Sequence, residues 1–365
     1  MKVRDVVGAL EAIAPPQLAE EWDNVGLLVG DADLAVKRVL LCIDLTPPVL
    51  AEARRLQAEM VMAYHPPIFK GVSRVTAQAA PALYQALRAG LSLYSVHTAF
   101  DSAVGGANDV LAGAVGLQNV RPLVAARQGG GCKIVVFVPD DDVQRVSAAA
   151  FAAGAGRIGD YSQCAFFSHG IGTFLGGPRS HPALGRAGRR EAAEEVRLEI
   201  VAPRGAAGEV CRAIRQAHPY ETPAIEVYSL ETFPEGCGVG RIGQLPQPMR
   251  VERLVARIKR RLGVSKLQLA RPARVGAIRT VACIAGAARR DYPSAIAAGA
   301  QLLLTGELPH HDALAATAAG LTVVCVGHSN SERIALGSLG QRLASLLPGL
   351  KVTQSASDRD PYEIA

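Results

Sequence analysis

Nothing in the 365-residue sequence is long and apolar enough to cross a bilayer. Apolar residues make up 49% of it, yet no uninterrupted apolar run approaches the roughly 20 residues a spanning helix needs. No leader is expected either. The opening MKVRDVVGALEAIAPP reads as a short amphipathic helix ended by prolines, without a charged start, apolar stretch and small-residue cleavage site. A cytoplasmic protein with no membrane partner is expected. The seven cysteines (Cys42, Cys132, Cys164, Cys211, Cys237, Cys283 and Cys325) never pair as CxxC, and their number is odd. That excludes a disulfide framework and a structural zinc knuckle. Cys42, Cys283 and Cys325 lie in apolar strand-like runs, as small buried hydrophobes do. Aromatics are scarce at 5%, so the net charge of +6 comes without an aromatic-rich basic strand or a nucleic-acid motif. The clusters Arg186–Arg190 and Lys259–Arg261 therefore read as solvated surface, and nucleic acid is not an expected partner. A modest positive field of this kind still favours phosphate-bearing small molecules.

What is present is alternation. Up to about Leu123, apolar strands (VKRVLLCIDLT, EMVMAYHPP, LSLYSVHTAFD) alternate with helical stretches such as PPVLAEARRLQAE and QAAPALYQALRAG. Such a pattern predicts a mostly parallel sheet with helices on its faces. AARQGGG, ending at Gly131, reads as a linker. The next hundred residues have the order βαββαβ, the ferredoxin-like split unit, with a loop rich in Gly, Pro and Arg at 176–190. After GCGVGRIGQLPQPM the α/β alternation resumes, through VERLVARIKRRLG, RTVACIAGAA, AQLLLTGEL and LTVVCVGH. The expected fold is α/β: a mostly parallel sheet core of two related halves, interrupted by an inserted ferredoxin-like domain. Its boundaries fall at 1–128, 129–235 and 236–365.

Three segments place polar chemistry at the carboxyl ends of predicted strands, where open α/β sheets bind ligands. They are Tyr64-His65-Pro66-Pro67, His97-Thr98-Ala99-Phe100-Asp101 and His328-Ser329-Asn330-Ser331-Glu332. Gly327 closes a strand and the following NSER opens a helix, so His328 and Glu332, four apart, project from one side. With His65 and Asp101 they make a mixed N/O set suited to zinc, manganese or iron. The ordinary reading stands beside this one. A strand-end histidine is often a hydrogen-bonded core residue, and a first-turn glutamate is stabilised by the helix dipole.

Two GxGxxG matches, at 154–159 and 238–243, lack a preceding strand and a following helix. Both read as turns or hinges, which rejects a Rossmann-type nucleotide fold. His218-Pro219-Tyr220-Glu221 reads as a turn with a half-buried tyrosine. Glu307, His310, His311 and Asp312 form a polar cluster after a strand, either orienting metal ligands or capping a helix.

At these residues the chain resembles the Nif-three-like family, whose members are often called GTP cyclohydrolase 1 type 2 homologues. The resemblance spans nearly the whole chain. It rests on WDNVGLLVGD (22–31), YHPPIF (64–69), HTAFDSAVGGANDVLA (97–112) and TGELPHHDALAATAAGLTVVCVGHSNSER (305–333). The middle segment, with GAGRIGDYSQCAFFSHGIGTF and HPYETPAIEVY, is similar to CutA and PII-type domains. The resemblance implies a dinuclear divalent-metal site and a homohexameric ring. His65, Asp101, His328 and Glu332 match metal ligands, Glu332 as the bridge. Tyr64 stands where many members have histidine, which implies one weaker metal position, because a phenol near pKa 10 ligates poorly. SDRDP (357–361) resembles the eukaryotic-type branch that shares YHPP.

Two functions follow as expectations. One is a metal-dependent hydrolase of a nucleotide or related small molecule, with one or two ions per subunit and His97 as general acid/base. The other is a non-enzymatic metal-binding regulator or adaptor whose PII-like insert senses a small ligand.

Overall fold

The structure is a computed structural model that describes residues 1–126, 131–230 and 235–362. It divides into two compact units, Met1–Ala126 with Glu235–Ala365, and Arg127–Pro234. Most of the expected linker, residues 127–130, lies outside the described residues.

The first unit opens with α1 (Val3–Ile13), in which Val3, Val6, Leu10 and Ile13 recur every three or four residues and are all buried. There follow β1 (Gly26–Val29), β2 (Arg38–Cys42), α2 (Pro47–Arg55), β3 (Met60–Ala63), α3 (Pro81–Arg88), β4 (Ser92–Ser95), α4 (His97–Ser102), α5 (Ala107–Val115) and β5 (Gln118–Ala125). The second unit holds β6 (Gly131–Val138), α6 (Val143–Ala152), β7 (Ala165–Leu175), β8 (Arg190–Pro203), α7 (Ala207–Ala217) and β9 (Ile225–Ser229). The chain returns to the first unit with β10 (Gly238–Met249), α8 (Val251–Leu262), β11 (Gln268–Ala270), β12 (Ile278–Ala287), α9 (Tyr292–Ala297) and β13 (Leu302–Glu307). It ends in α10 (His310–Ala318), β14 (Thr322–Cys325), α11 (His328–Leu346) and β15 (Lys351–Gln354).

The first unit contains two sheets, ordered β1-β4-β3-β2-β15 and β11-β14-β13-β12-β10-β5. Each contains a parallel triplet with a short antiparallel strand on its outer edge: β2, β3, β4 with β1, and β12, β13, β14 with β11; in the first sheet β15 adds a fourth parallel strand beside β2. The parallel strands are short apolar runs, such as MVMA and TVVC, buried at every position.

The core is thus a mixed α/β arrangement of two sheets, not one mostly parallel sheet in two halves. The clearest departure is 238–249, expected as a hinge and found as the strand β10, antiparallel to both β5 and β12. The expectation failed because glycine was read as a breaker. In β10 glycine permits close approach: at Gly240, with φ of +62°, a Cβ would stand 3.1 Å from the Cys283 carbonyl oxygen. The other GxGxxG match is a turn, with Gly154, Gly156 and Gly159 all at positive φ.

One apolar core draws on α1, α5, α8 and α11 and on inward residues of both sheets, among them Leu41, Met62, Cys283, Leu304 and Leu339. Separate clusters cover the outer face of each sheet beneath α2 and α3 and beneath α9 and α10. The central helices therefore lie between the sheets, and the carboxyl ends of the two parallel triplets supply the site. In the second unit the strand order is β7-β8-β6-β9, all antiparallel, with α6 and α7 on one face over Ile134, Val136, Leu198 and Ile200. Among the described residues no helix is long and apolar enough to cross a membrane.

Candidate metal centre

His65 leaves β3 while still under backbone control. The Tyr64 and His65 amides donate to the Cys42 and Ile43 carbonyls at 2.8 and 3.0 Å, and Pro66-Pro67 then end the strand. The His97 amide in turn donates to the Tyr64 carbonyl at 3.1 Å, which seats the start of α4 beside His65. His97 has φ of +25°, a strained value for a residue with a side chain and one that collects at functional sites. From the second sheet, Gly327 at φ +96° turns the chain out of β14 directly into α11, whose first residue is His328.

These approaches bring three side chains together. Ligand atoms of His65, His328 and Glu332 all lie within 4.8 Å of one another. His65 Nε2 is 3.2 Å from Glu332 Oε2, and His328 Nε2 is 3.4 Å from Glu332 Oε1. Although close, His65 Nε2 and Glu332 Oε2 make no aligned hydrogen bond, and both are sealed from solvent. Asp101 is outside this trio but faces it. It is partly buried and accepts a short bond from the Tyr64 hydroxyl.

Each histidine is held at Nδ1 by a carboxylate. Asp44 binds His65 at 2.9 Å, Asp23 binds His97 at 2.7 Å and Glu307 binds His328 at 3.1 Å. Such partners set the tautomer and aim Nε2 elsewhere. Burial alone would depress the His65 imidazole, but the bond to Asp44 and the nearby Glu332 outweigh it and lift its pKa to about 10. Burial, then the Glu332 charge, push the Asp101 carboxyl up to about 7 against the Tyr64 bond. Burial and the Asp101 charge drive the Tyr64 phenol well above its ordinary value. Asp44 and Asp23 lie below the usual carboxylate range: burial, the largest single effect, raises them, but the imidazole bonds and charges together with further bonds and nearby cations outweigh it. The cluster therefore favours positive charge at His65 Nε2.

Backbone fit beneath the cluster depends on Gly286, at the end of β12. Its φ is +65°, and a Cβ there would stand 2.7 Å from Glu332 Oε1. Asn108 ties the two sides together, donating to the Asp101 carbonyl at 3.0 Å and accepting from the Ala285 amide at 2.8 Å. Buried Asp358 likewise accepts from the Ile43 amide at 2.8 Å and pairs with Arg333, which fixes the residues next to Asp44 and Glu332. On the His97 side the wall is aromatic. Trp22 and Phe69 lie 5.9 and 6.4 Å from the His97 ring and stay about half exposed, at 49% and 51%.

Of the polar cluster after β13, Glu307 reaches the site. His310 and His311 pack edge to face on each other instead, and Asp312 pairs with Arg289. Sequence reasoning missed Asp44, Asp23, Asn108 and Gly286. Asp44 had a usable signal, since it follows β2 as His65 follows β3. Asp23 lies within WDNVGLLVGD but away from a parallel strand end.

With this geometry established, comparison with known proteins adds relatives of nearly full length. The family model described as Duf34/NIF3 (NGG1p interacting factor 3) matches residues 1–361. A Halalkalibacterium halodurans protein named GTP cyclohydrolase 1 type 2 homolog is 34% identical over 98% of this chain and 97% of its own length. A Mycobacterium tuberculosis protein of the same name is 38% identical over 86% of this chain and 83% of its own. Among solved structures, a Bacillus cereus protein related to NIF3 superposes with a TM-score of 0.79 at 32% identity, covering 100% of this chain and 99% of that one.

Proposed function

The chain belongs to the Duf34/NIF3 family, and from that premise we propose that its first unit is a metal-dependent hydrolase of a nucleotide or a related small molecule. One observation carries the reading: His65 Nε2 and Glu332 Oε2 are buried without aligned partners, and His328 Nε2 stands beside the same carboxylate. Unpartnered buried polar atoms are costly unless something completes them. Imidazole with carboxylate is a donor set for zinc, iron or manganese. In this reading His65, Asp101, His328 and Glu332 hold one or two divalent ions. Glu332 is the shared ligand, because its two oxygens meet two different imidazoles. Tyr64, engaged with Asp101, orients that carboxylate and does not itself ligate.

A bound divalent ion lowers the pKa of water and polarises an electrophile, which permits hydrolysis at neutral pH. The chain's own residues supply the rest. His97, with Nδ1 held by Asp23, keeps Nε2 to take or deliver a proton. Trp22 and Phe69 offer half-exposed aromatic faces beside it, on which the flat base of a nucleotide stacks. The same reading takes residues 1–128 and 236–365 as a Nif-three-like core in a cytoplasmic homohexamer. Residues 129–235 form a ferredoxin-like, CutA/PII-like insert, supported by the βαββαβ order and the sequence β7-β8-β6-β9.

The test is metal content by mass spectrometry on the untreated protein and on His65→Ala, followed by turnover of GTP, other nucleotides and phosphoesters. Metal and turnover lost together support the hydrolase. A metal-replete wild type inert on the whole panel sinks it and leaves the metal-binding regulator.

A further inference from the structure

The HPYE turn is not absorbed by the metal centre, and in the second unit it forms one wall of a cavity. His218 is buried and neutral in its bonding: Nε2 donates to the Phe137 carbonyl at 2.9 Å, and Nδ1 accepts from the Tyr220 amide at 3.0 Å. A histidine used this way has both ring nitrogens engaged. It sets the position of Tyr220.

The cavity that Tyr220 faces has a volume of about 570 Å³ and is lined mainly by apolar surface, including Phe137, Phe174, Leu175 and Leu184. Its charged lining residues are Glu195 and Glu221, with no lysine, arginine or histidine among them. The Tyr220 hydroxyl is buried beside Glu195, and burial, then the adjacent Glu195 carboxylate, raise its pKa. Glu195 reaches across β7 because residue 172 is glycine, and any Cβ there would collide with the Glu195 carboxylate. Glu221 Oε1 is occupied, accepting from the His181 amide at 3.0 Å, which ties the 176–190 loop over the cavity. Arg197, 5.6 Å from the Phe137 ring, is already bonded to Glu199 at 2.9 Å.

An apolar chamber with a carboxylate, a buried phenol beside it and no lining cation is complementary to one kind of small molecule. We propose that this cavity binds an organic cation, a protonated amine on an apolar body, with the ammonium at Glu195, which Tyr220 positions, and the body against Phe137, Phe174 and Leu184. The carboxylate accepts the ammonium's hydrogen bonds, and the ring walls take the apolar part. The site is separate in sequence and unit from the metal centre and does not depend on the function proposed for it.

The probe is 2-phenylethylammonium, titrated calorimetrically into the full-length chain, with neutral 2-phenylethanol as the matched control. Saturable binding of the amine is expected, at least about tenfold tighter than the alcohol. Glu195→Gln, which keeps the shape and removes the charge, should weaken the amine about tenfold without affecting the alcohol. Tyr220→Phe should weaken it a few-fold. Glu332→Gln should leave it unchanged, and thermal melts confirm that each variant is folded. Equal binding of amine and alcohol, or an unaffected Glu195→Gln, overturns the proposal. So does the absence of saturation together with a change in oligomeric state in Glu195→Gln, which would assign the cavity to a second copy of the chain.

Discussion

The two sheets of the first unit share a plan and differ in how they present chemistry. Both put an antiparallel strand on the outside of a run of parallel ones, four in the first sheet and three in the second. Both deliver a histidine just beyond a parallel strand, its Nδ1 held by an acid from the neighbouring strand end: His65 with Asp44, and His328 with Glu307. His65, however, is gripped by the strand ladder and its side chain is 22% exposed, with Asp44 at 40%. His328 opens a helix and is 38% exposed, with Glu307 at 57%. The first sheet thus offers the more enclosed and more strongly held half of the site. The second offers the more open half, together with the buried Glu332 that both halves share. Duplicating a plan does not duplicate the environment.

The comparison can be broken most severely at the shared residue. Glu332→Gln should lower metal affinity by more than about 100-fold, beyond the 10–100-fold typical of an outer partner, as read by equilibrium dialysis. Retention of metal would mean that the two halves bind independently. The shared packing is next. Leu339→Ala, in the middle of α11 and fully buried in the core common to both sheets, should cost about 2–5 kcal/mol in a denaturant melt. A two-step melt in place of one shifted transition would show that the sheets fold separately.

Two matched variants sharpen the difference itself. Asp44→Asn should weaken metal binding about 10–100-fold, while the more exposed Glu307→Gln should weaken it by less than about tenfold. Equal effects would remove the distinction between an enclosed half and an open one. The sheet of the second unit supplies no residue of the His65–His328–Glu332 trio and gives the smallest effect. Burial lowers the pKa of His218, so the unfolded chain binds a proton there more readily than the folded one. Its contribution to stability is complete above the unfolded value near 6.5 and declines as the pH falls below it. Hydrogen-exchange protection factors in residues 131–230 should therefore fall below that pH, and less so in a His218→Gln variant.

Much of this was legible in the residues. Short apolar runs ending in His65, His97 and His328 marked strand ends, because a parallel strand buried on both faces must be apolar until it leaves the sheet. The four-residue spacing of His328 and Glu332 needed only helical geometry. Strand direction and sheet membership were not legible. Glycine in β10 serves close approach between strands, and its sequence signature is the same as that of a turn. Nor was the Tyr64–Asp101 bond, which turns an apparently poor ligand into the partner of a better one.

By itself, then, the sequence determined the periodicities, the strand ends and the kinds of donor atom available there, since these depend on neighbours along the chain. Only the tertiary structure decided that His65, from one sheet, and His328 and Glu332, from the end of the other, share one buried space. The same holds for Asp44, Asn108 and Gly286, whose roles rest on approaches between distant segments. Packing α11 between the two sheets sets those distances, and no local pattern encodes them.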